Sequence, residues 1–275
     1  MIEKGEFAMI FAASIGNERI SVGFFEETSK ALLFHFQISA DPAKTTDEFL
    51  SLIRSIVREE GLSISSCSGA ILSSVVPQLT ATIREVLTRL TGTEPLVVGP
   101  GVKTGFSIKI DSPAELGGDI VANASAALAT LQGKARPMII VDAGTVTTVS
   151  AIHSSRAFLG CSIFPGVQIS FDALHGRTAQ LPNVMRSIPE RAIGKNSQES
   201  IRAGVVLGQA MTIDGFVERF AREMKSNPSE VALVMTGNFA PLMLRASRYS
   251  FDYEEHLTLK GLCELYCNTV QDNND

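Results

Sequence analysis

The chain has 275 residues, enough for one large domain or for two of roughly 120–150 residues that each bury a core. Hydrophobic residues make up 45% and charged residues 19%, and the formal net charge of −5 argues against a broad nucleic-acid surface. No apolar run reaches the ~18–20 residues that span a bilayer, and the opening MIEKGEFAMIFAAS lacks the basic region and cleavage pattern of a signal peptide, so a cytoplasmic chain without a membrane or nucleic-acid partner is expected.

The pattern predicts strands over 7–15, 19–26 and 31–38, the first two joined at Ile15-Gly16-Asn17. A helix is predicted over 44–60. Thr45-Thr46-Asp47-Glu48 is its start signal, ahead of the apolar stripe Phe49, Leu50, Ile53, Ile56 and Val57. A buried strand over 68–74, closed by Pro77, precedes a helix over 78–91 and a strand over 95–98. Three strands in a meander followed by alternating helix and strand is the layout of a ribonuclease-H-like domain.

A loop over 99–111 leads to Ser112-Pro113-Ala114-Glu115, a helix-start pattern, and to an Ala-rich helix through 120–132. The same order then recurs. Strands are predicted over 138–142, 146–153 and 156–163, helices over 167–175 and 197–225, a strand over 231–236, and helices over 239–246 and 258–270. The tail from Gln271 to Asp275 is polar and expected to fray.

This recurrence is the most informative feature. MIIVDAGTVTTVSAI at 138–152 repeats the layout of IFAASIGNERISVGF at 10–24, making Gly144 the counterpart of Gly16. One hairpin made twice predicts two duplicated α/β domains facing a cleft, 1–118 and 119–275, with a hinge near 117–123. Glycine at each turn lets backbone N–H groups approach a phosphate. A carboxylate at the end of the first strand can hold a cation, and Asp142 supplies one. The first copy has Ser14 there, so the repeat is chemically lopsided.

Other motifs are weaker. No GxxxxGK[ST] phosphate loop and no complete dinucleotide fingerprint exists. Gly117-Gly118-Asp119 places two glycines before an acid at a helix start, and apolar Ile120 and Val121 beside Asp119 would desolvate its carboxylate into a stronger base. A plain capping acid is the bland alternative. Gly194-Lys195-Asn196-Ser197-Gln198-Glu199 reads as a capping box with Ser197 at the cap, and its hydroxyl could meet a polar substrate or simply cap. Thr236-Gly237-Asn238 ends a strand where nucleotides meet backbone in open α/β sheets. Cys67, Cys161, Cys263 and Cys267 lack a zinc pattern and read as free thiols. His35, His153, His175 and His256 form no spaced cluster.

Taken together, Ile15-Gly16-Asn17, Ser73-Ser74-Val75-Val76-Pro77, Glu115 to Asp119, Asp142-Ala143-Gly144-Thr145-Val146-Thr147-Thr148, Pro165-Gly166, Arg177-Thr178-Ala179 with Leu181-Pro182, Gly194-Lys195-Asn196-Ser197 with Glu199, Thr236-Gly237 and Leu257 to Leu262 stand in the order of one family. Over nearly its whole length the chain resembles the type III pantothenate kinases, also called the Bvg accessory factor family. The resemblance implies an actin-like ATPase fold, a homodimer, and ATP-dependent phosphorylation of pantothenate to 4'-phosphopantothenate, the first step to coenzyme A. It implies Mg2+ with ATP and a monovalent cation, K+ or NH4+. By position, Asp119 resembles the catalytic base, Asp142 the cation ligand, and Gly144 and Thr145 ATP contacts. The first hairpin, Ser14, Ile15, Gly16, Asn17, Glu18, Arg19, Ile20 and Ser21, matches the other ATP-binding segment. Gly117, Gly118, Asp119, Ile120 and Ser197 match the pantothenate site.

The chain departs from the family pattern at several of these positions. Where the family reads Asp-x-Gly-Asn-Thr, this chain has Ser14 and Glu18 at the ends, which replaces a carboxylate and a hydroxyl. Ile120 stands where an Arg is expected, Ile110 near an expected Tyr, Ser150 for an acid, and Asn238 for a Gly. Ser197 replaces a Thr and keeps the hydroxyl. Two other readings stay open: a weakened paralogue that binds a ligand or regulates, and a kinase or phosphatase of the same fold acting on another small substrate.

Overall fold

A computed structural model of the chain describes residues 8–272. The expected strand start at residue 7, the opening read against a signal peptide up to that residue, and the tail beyond 272 lie outside them. The described residues form two compact units: one runs through Gly105, then Ser112–Ala129, then from Leu257 onward, and the other comprises Phe106–Asp111 and Thr130–His256. The division differs from a single boundary at 118/119, because the chain passes from one unit to the other four times.

In the first unit, β1 (Met9–Ile15), β2 (Arg19–Glu26) and β3 (Leu32–Ser39) form an antiparallel meander. β4 (Cys67–Ser74) and β5 (Leu96–Val97) add in parallel, giving the order β3-β2-β1-β4-β5. The central strand β1 is apolar except for Ser14 near its end, because it is covered on both sides. Phe11, Ala13 and Ile15 meet α1 (Thr46–Glu59) and α2 (Pro77–Thr91) through Phe49, Ile53, Leu79 and Ile83. The predicted capping box closes α1: the Glu48 N–H donates to Thr45 Oγ1, and the Glu48 carboxylate accepts from the Thr45 N–H at 2.7 Å. Gly92 ends α2 in the left-handed conformation, φ 76°.

α3 (Gly118–Thr130) comes after a 3₁₀ turn at Pro113–Glu115, so the proline marks that turn and not the α-helix itself. α3 packs with the last helix of the chain. A Cβ on Gly261 in that helix would lie 1.8 Å from the Ala122 carbonyl oxygen, so the two backbones touch there.

The second unit repeats the plan. β7 (Met138–Ala143), β8 (Val146–Ile152) and β9 (Ala157–Pro165) form the meander, and β10 (Ala232–Thr236) and β11 (Asp252–Tyr253) add in parallel beside β7. β6 (Ser107–Ile108) joins the far edge, giving β11-β10-β7-β8-β9-β6. The first five-strand order therefore appears twice, as the duplicated hairpin requires. β6 and β11 are two-residue strands that periodicity does not reveal.

The helices of this unit are α4 (Val167–Arg177), α5 (Ser197–Arg202), α6 (Gly208–Glu223) and α7 (Ala240–Ala246). The expected helix over 197–225 is interrupted by a π turn at Ala203–Leu207. α8 (Leu257–Asp272) takes the closing position of the second repeat in sequence order, yet it belongs to the first unit. It lies on β1, β2 and β4, with Leu259 beside Gly23 and Tyr266 against Gly69. No described helix is long and apolar enough to cross a membrane.

Candidate functional site

In the first unit, the β1–β2 turn spans residues 16–18, with the Gly16 N–H donating to the Arg19 carbonyl at 2.9 Å. Ile15 and Ile20 are core residues, so only their backbone can meet a ligand. Asn17, Glu18 and Arg19 are exposed. The Arg19 guanidinium donates to Gln37 Oε1 at 2.9 Å, and Gln37 Nε2 donates to Ser21 Oγ at 3.1 Å. Ser14 pairs with Ser21 on one side and with Ser73 on the other. Registered neighbours share a face, so three serines form a row across the end of the sheet.

That row leads to the start of α3. A Cβ on Gly118 would lie 2.7 Å from Ser73 Oγ, so glycine is what lets the helix start reach the strand end. The Ser73 hydroxyl is buried and has no protein hydrogen-bond partner. Asp119 stands in the first turn of α3, and its Oδ1 accepts from the Ile120 N–H at 2.8 Å. Burial raises the Asp119 carboxyl above its ordinary value of 3.8, against the opposing backbone hydrogen bond. A Cβ on Gly117 would lie 2.5 Å from Asp119 Oδ1, so the bare glycine leaves the carboxylate open on that side. Ile120 points into the core. The structure thus brings together Ser14, Ser21, Ser73, Gly117, Gly118 and Asp119. The sequence marks Ser73 only as part of the motif Ser73-Ser74-Val75-Val76-Pro77 and gives it no site role, because a serine in an apolar strand carries no local mark of an unpaired hydroxyl.

In the second unit, the β7–β8 turn is the two-residue Gly144-Thr145, one residue shorter than its counterpart. Asp142 pairs with Thr148 and Thr236, which puts three oxygen-bearing side chains on one face at the strand ends. Two further glycines wrap this turn. Gly237 has φ 97°, and a Cβ there would lie 2.5 Å from Asp142 Oδ1 and 2.6 Å from the Ala143 carbonyl carbon. The Gly166 N–H donates to the Thr145 carbonyl at 3.2 Å, and a Cβ there would lie 2.4 Å from the carbonyl oxygens of both Gly144 and Thr145. The result is a cradle of bare backbone around a carboxylate, the surface a phosphate with its cation can approach.

The donor set fits a hard cation, because Asp142, Thr148 and Thr236 offer oxygen only. Among the described residues no group of three or more His, Cys, Asp and Glu could hold a metal, so a cation at Asp142 would complete its shell with phosphate oxygens and water.

Ser197 is corrected in one respect. The cap of α5 is Asn196, whose Oδ1 accepts from the Glu199 N–H at 2.9 Å, and Ser197 is the exposed first helical residue. Glu199 answers by accepting from the Lys195 N–H at 3.0 Å, and that bond lowers its pKa. None of the four cysteines, all of them described, forms a disulfide, and burial pushes the Cys67 thiol up to about 12.

A family profile described as type III pantothenate kinase matches residues 10–219. A type III pantothenate kinase of Bacillus cytotoxicus is 38% identical over 258 residues, covering 94% of this chain and 95% of that protein. Among solved structures, a candidate Baf family transcriptional activator from Campylobacter jejuni superposes with a TM-score of 0.57 at 16% identity, covering 96% of this chain and 98% of that one. The ethanolamine utilization protein EutJ from Carboxydothermus hydrogenoformans gives 0.52 at 13%, covering 93% and 89%. These two likenesses are of fold alone, and they agree with duplicated ribonuclease-H-like domains of the actin-like ATPase class. With the profile spanning most of its length and a relative at this identity, the chain belongs to the type III pantothenate kinase family.

Proposed function

We propose that this chain transfers the γ-phosphoryl group of ATP to the terminal hydroxyl of pantothenate, giving 4'-phosphopantothenate and ADP. The observation that carries the reading is Asp119: a desolvated carboxylate at the start of α3, preceded by two glycines. In this reading Asp119 takes the hydroxyl proton as the oxygen attacks the γ-phosphorus and the bond to ADP breaks. Gly117 and Gly118 leave room for the alcohol. Ile120 is buried and apolar, so it cannot meet the pantothenate carboxylate. The exposed Ser197 hydroxyl is free to contact the substrate's polar groups.

The backbone of Gly144, Thr145 and Gly237 receives phosphate oxygens, with Mg2+ accompanying ATP, while Gly166 buttresses the turn through its N–H bond to the Thr145 carbonyl. Asp142 holds K+ or NH4+, which offsets phosphate charge. The first hairpin, from Ser14 through Gly16 and Asn17 to Ser21, offers backbone N–H groups and hydroxyls to the nucleotide but no carboxylate. That supports a second reading, weak nucleotide use.

We further place the protein in the cytoplasm, where ATP is supplied, and assemble it as a homodimer. Exposed Leu159, Ile163 and Met211 on the second unit are apolar side chains that such a contact would cover. The test is ADP release by the purified protein with and without pantothenate, Mg2+, and K+ or NH4+. Release that never depends on pantothenate would overturn the kinase assignment. Light scattering that finds only single chains at micromolar concentration would overturn the dimer.

A further inference from the structure

The second unit holds a buried polar side chain that phosphoryl transfer does not use. Gln209 is the second residue of α6 and only 7% exposed; the other buried residues of the helix are Ala210, Ile213, Asp214, Val217 and Ala221, and Asp214 has its own partner in Ser247. Its carboxamide joins three elements. Thr147 Oγ1 donates to Gln209 Oε1 at 3.3 Å. Gln209 Nε2 donates to the Pro165 carbonyl at 2.7 Å and to Ser170 Oγ at 3.3 Å. Ser170 Oγ in turn donates to the Gly166 carbonyl at 2.9 Å.

These partners surround one place. Thr147 lies two residues after Thr145, Pro165 pairs with Val146, and Gly166 closes over the Gly144-Thr145 peptide. Thr147 shares its face with the core residues Ala143 and Val149, whereas Asp142 and Thr148 lie on the opposite face. Gln209 therefore grips the cradle from beneath, without reaching a ligand above it.

The π turn at Ala203–Leu207 ends immediately before α6 begins. A π turn inserts one residue and rotates the downstream helix by about 100° relative to an unbroken α-helix. An unbroken helix would aim a different side chain at the turn. A carboxamide suits the place because its oxygen accepts from the Thr147 hydroxyl while its NH2 donates to two further partners, the Pro165 carbonyl and Ser170 Oγ.

We propose that Gln209 is a positioning residue for nucleotide binding: it fixes the Gly144-Thr145 turn and Gly166 in the geometry that receives phosphates, and the π turn exists to aim it. The proposal rests on the kinase reading for its phosphate ligand.

The test uses the intact chain and two variants. Gln209→Leu keeps the volume and removes all three bonds. Gln209→Glu can accept from Thr147 but, when ionised, cannot donate to Pro165. Mg-ATP binding by calorimetry, the KM for ATP, kcat and the melting temperature are measured together. The expected result for Leu is a roughly tenfold or greater rise in Kd and KM for ATP, with kcat at saturating ATP changed less than about threefold. The Glu variant should match it at neutral pH and recover as the carboxyl protonates in mild acid. A folded Leu variant that melts lower yet binds Mg-ATP like wild type would assign Gln209 to packing alone and overturn the proposal. If the Leu variant does not fold, Thr147→Val, which removes one partner, must show the same Kd rise for the proposal to stand. Wild type that binds Mg-ATP without phosphorylating pantothenate sinks the substrate reading and leaves this comparison intact. Wild type that does not bind Mg-ATP overturns the proposal.

Discussion

Asp119→Asn is the sharpest perturbation, because it should move activity and stability in opposite directions. Asparagine keeps the Oδ1 that accepts from the Ile120 N–H at 2.8 Å and has nearly the same volume, so α3 should start as before. What it removes is the ionisable group. A positioned general base contributes about 10²–10⁴-fold, so kcat should fall by at least ~10²-fold, or about 2.7 kcal/mol of barrier, with KM values changed much less. Stability depends on the direction of the pKa shift. Burial raises the folded-state carboxyl above its ordinary 3.8, so the folded chain favours the protonated form. Its stabilising contribution is fully present below the unfolded value and is lost as pH rises through the folded one. The melting temperatures of wild type and variant should therefore converge in acid and separate as pH rises, with Asn the more stable at neutral pH. The acidic limb of kcat/KM in wild type should lie above the usual Asp range for the same reason. Coupled ADP release and thermal melts across pH measure both. Turnover within a few-fold of wild type would remove Asp119 from the mechanism, and a melting difference that does not grow with pH would remove the desolvation argument.

The lopsided hairpin gives a second outcome. Ser14→Asp with Glu18→Thr places a carboxylate beside the Ser21 and Ser73 hydroxyls and removes an exposed charge from the turn. ATP binding with Mg2+ present should tighten by about 1–3 kcal/mol, the scale of a charge-assisted contact. Wild type already binding at low micromolar Kd, with no gain in the double variant, would show that other groups hold the phosphates. Ser73→Ala should raise the melting temperature, because it removes a buried hydroxyl without a protein partner, worth about 1–3 kcal/mol; a lower melting temperature would mean the hydroxyl is satisfied in solution. Gly261→Ala should destabilise by about 1–3 kcal/mol or more, since its Cβ would meet the Ala122 carbonyl oxygen at 1.8 Å. Unchanged denaturant unfolding would contradict the close helix contact. Gly237→Ala combines a left-handed φ of 97° with a contact at 2.5 Å from Asp142 Oδ1, so calorimetry should show Mg-ATP binding weakened well beyond the effect of an exposed Gly→Ala change.

Local sequence was enough to place the two hairpins, the α1 capping box and Asp119 at a helix start. Each is a short-range pattern: apolar alternation around a glycine turn, a threonine three residues before a glutamate, two glycines before an acid. The family motifs were equally legible because they are contiguous. The features that escaped depend on partners far along the chain. The two-residue strands β6 and β11 exist only because β9 and β10 offer them an edge. Asn196 rather than Ser197 caps α5, a choice between adjacent polar residues that the fold of the preceding loop makes. Gln209 and Ser73 gain meaning only when Pro165, Thr147 and Gly118 arrive beside them. The largest such decision is α8. Its order in the chain assigns it to the second repeat, but its apolar face settles on β1 and β4, and its Gly261 meets Ala122 of the first unit. A local pattern specifies that a helix must bury one face; which surface covers that face is set by shape, here by the absence of a side chain at the point where two backbones meet.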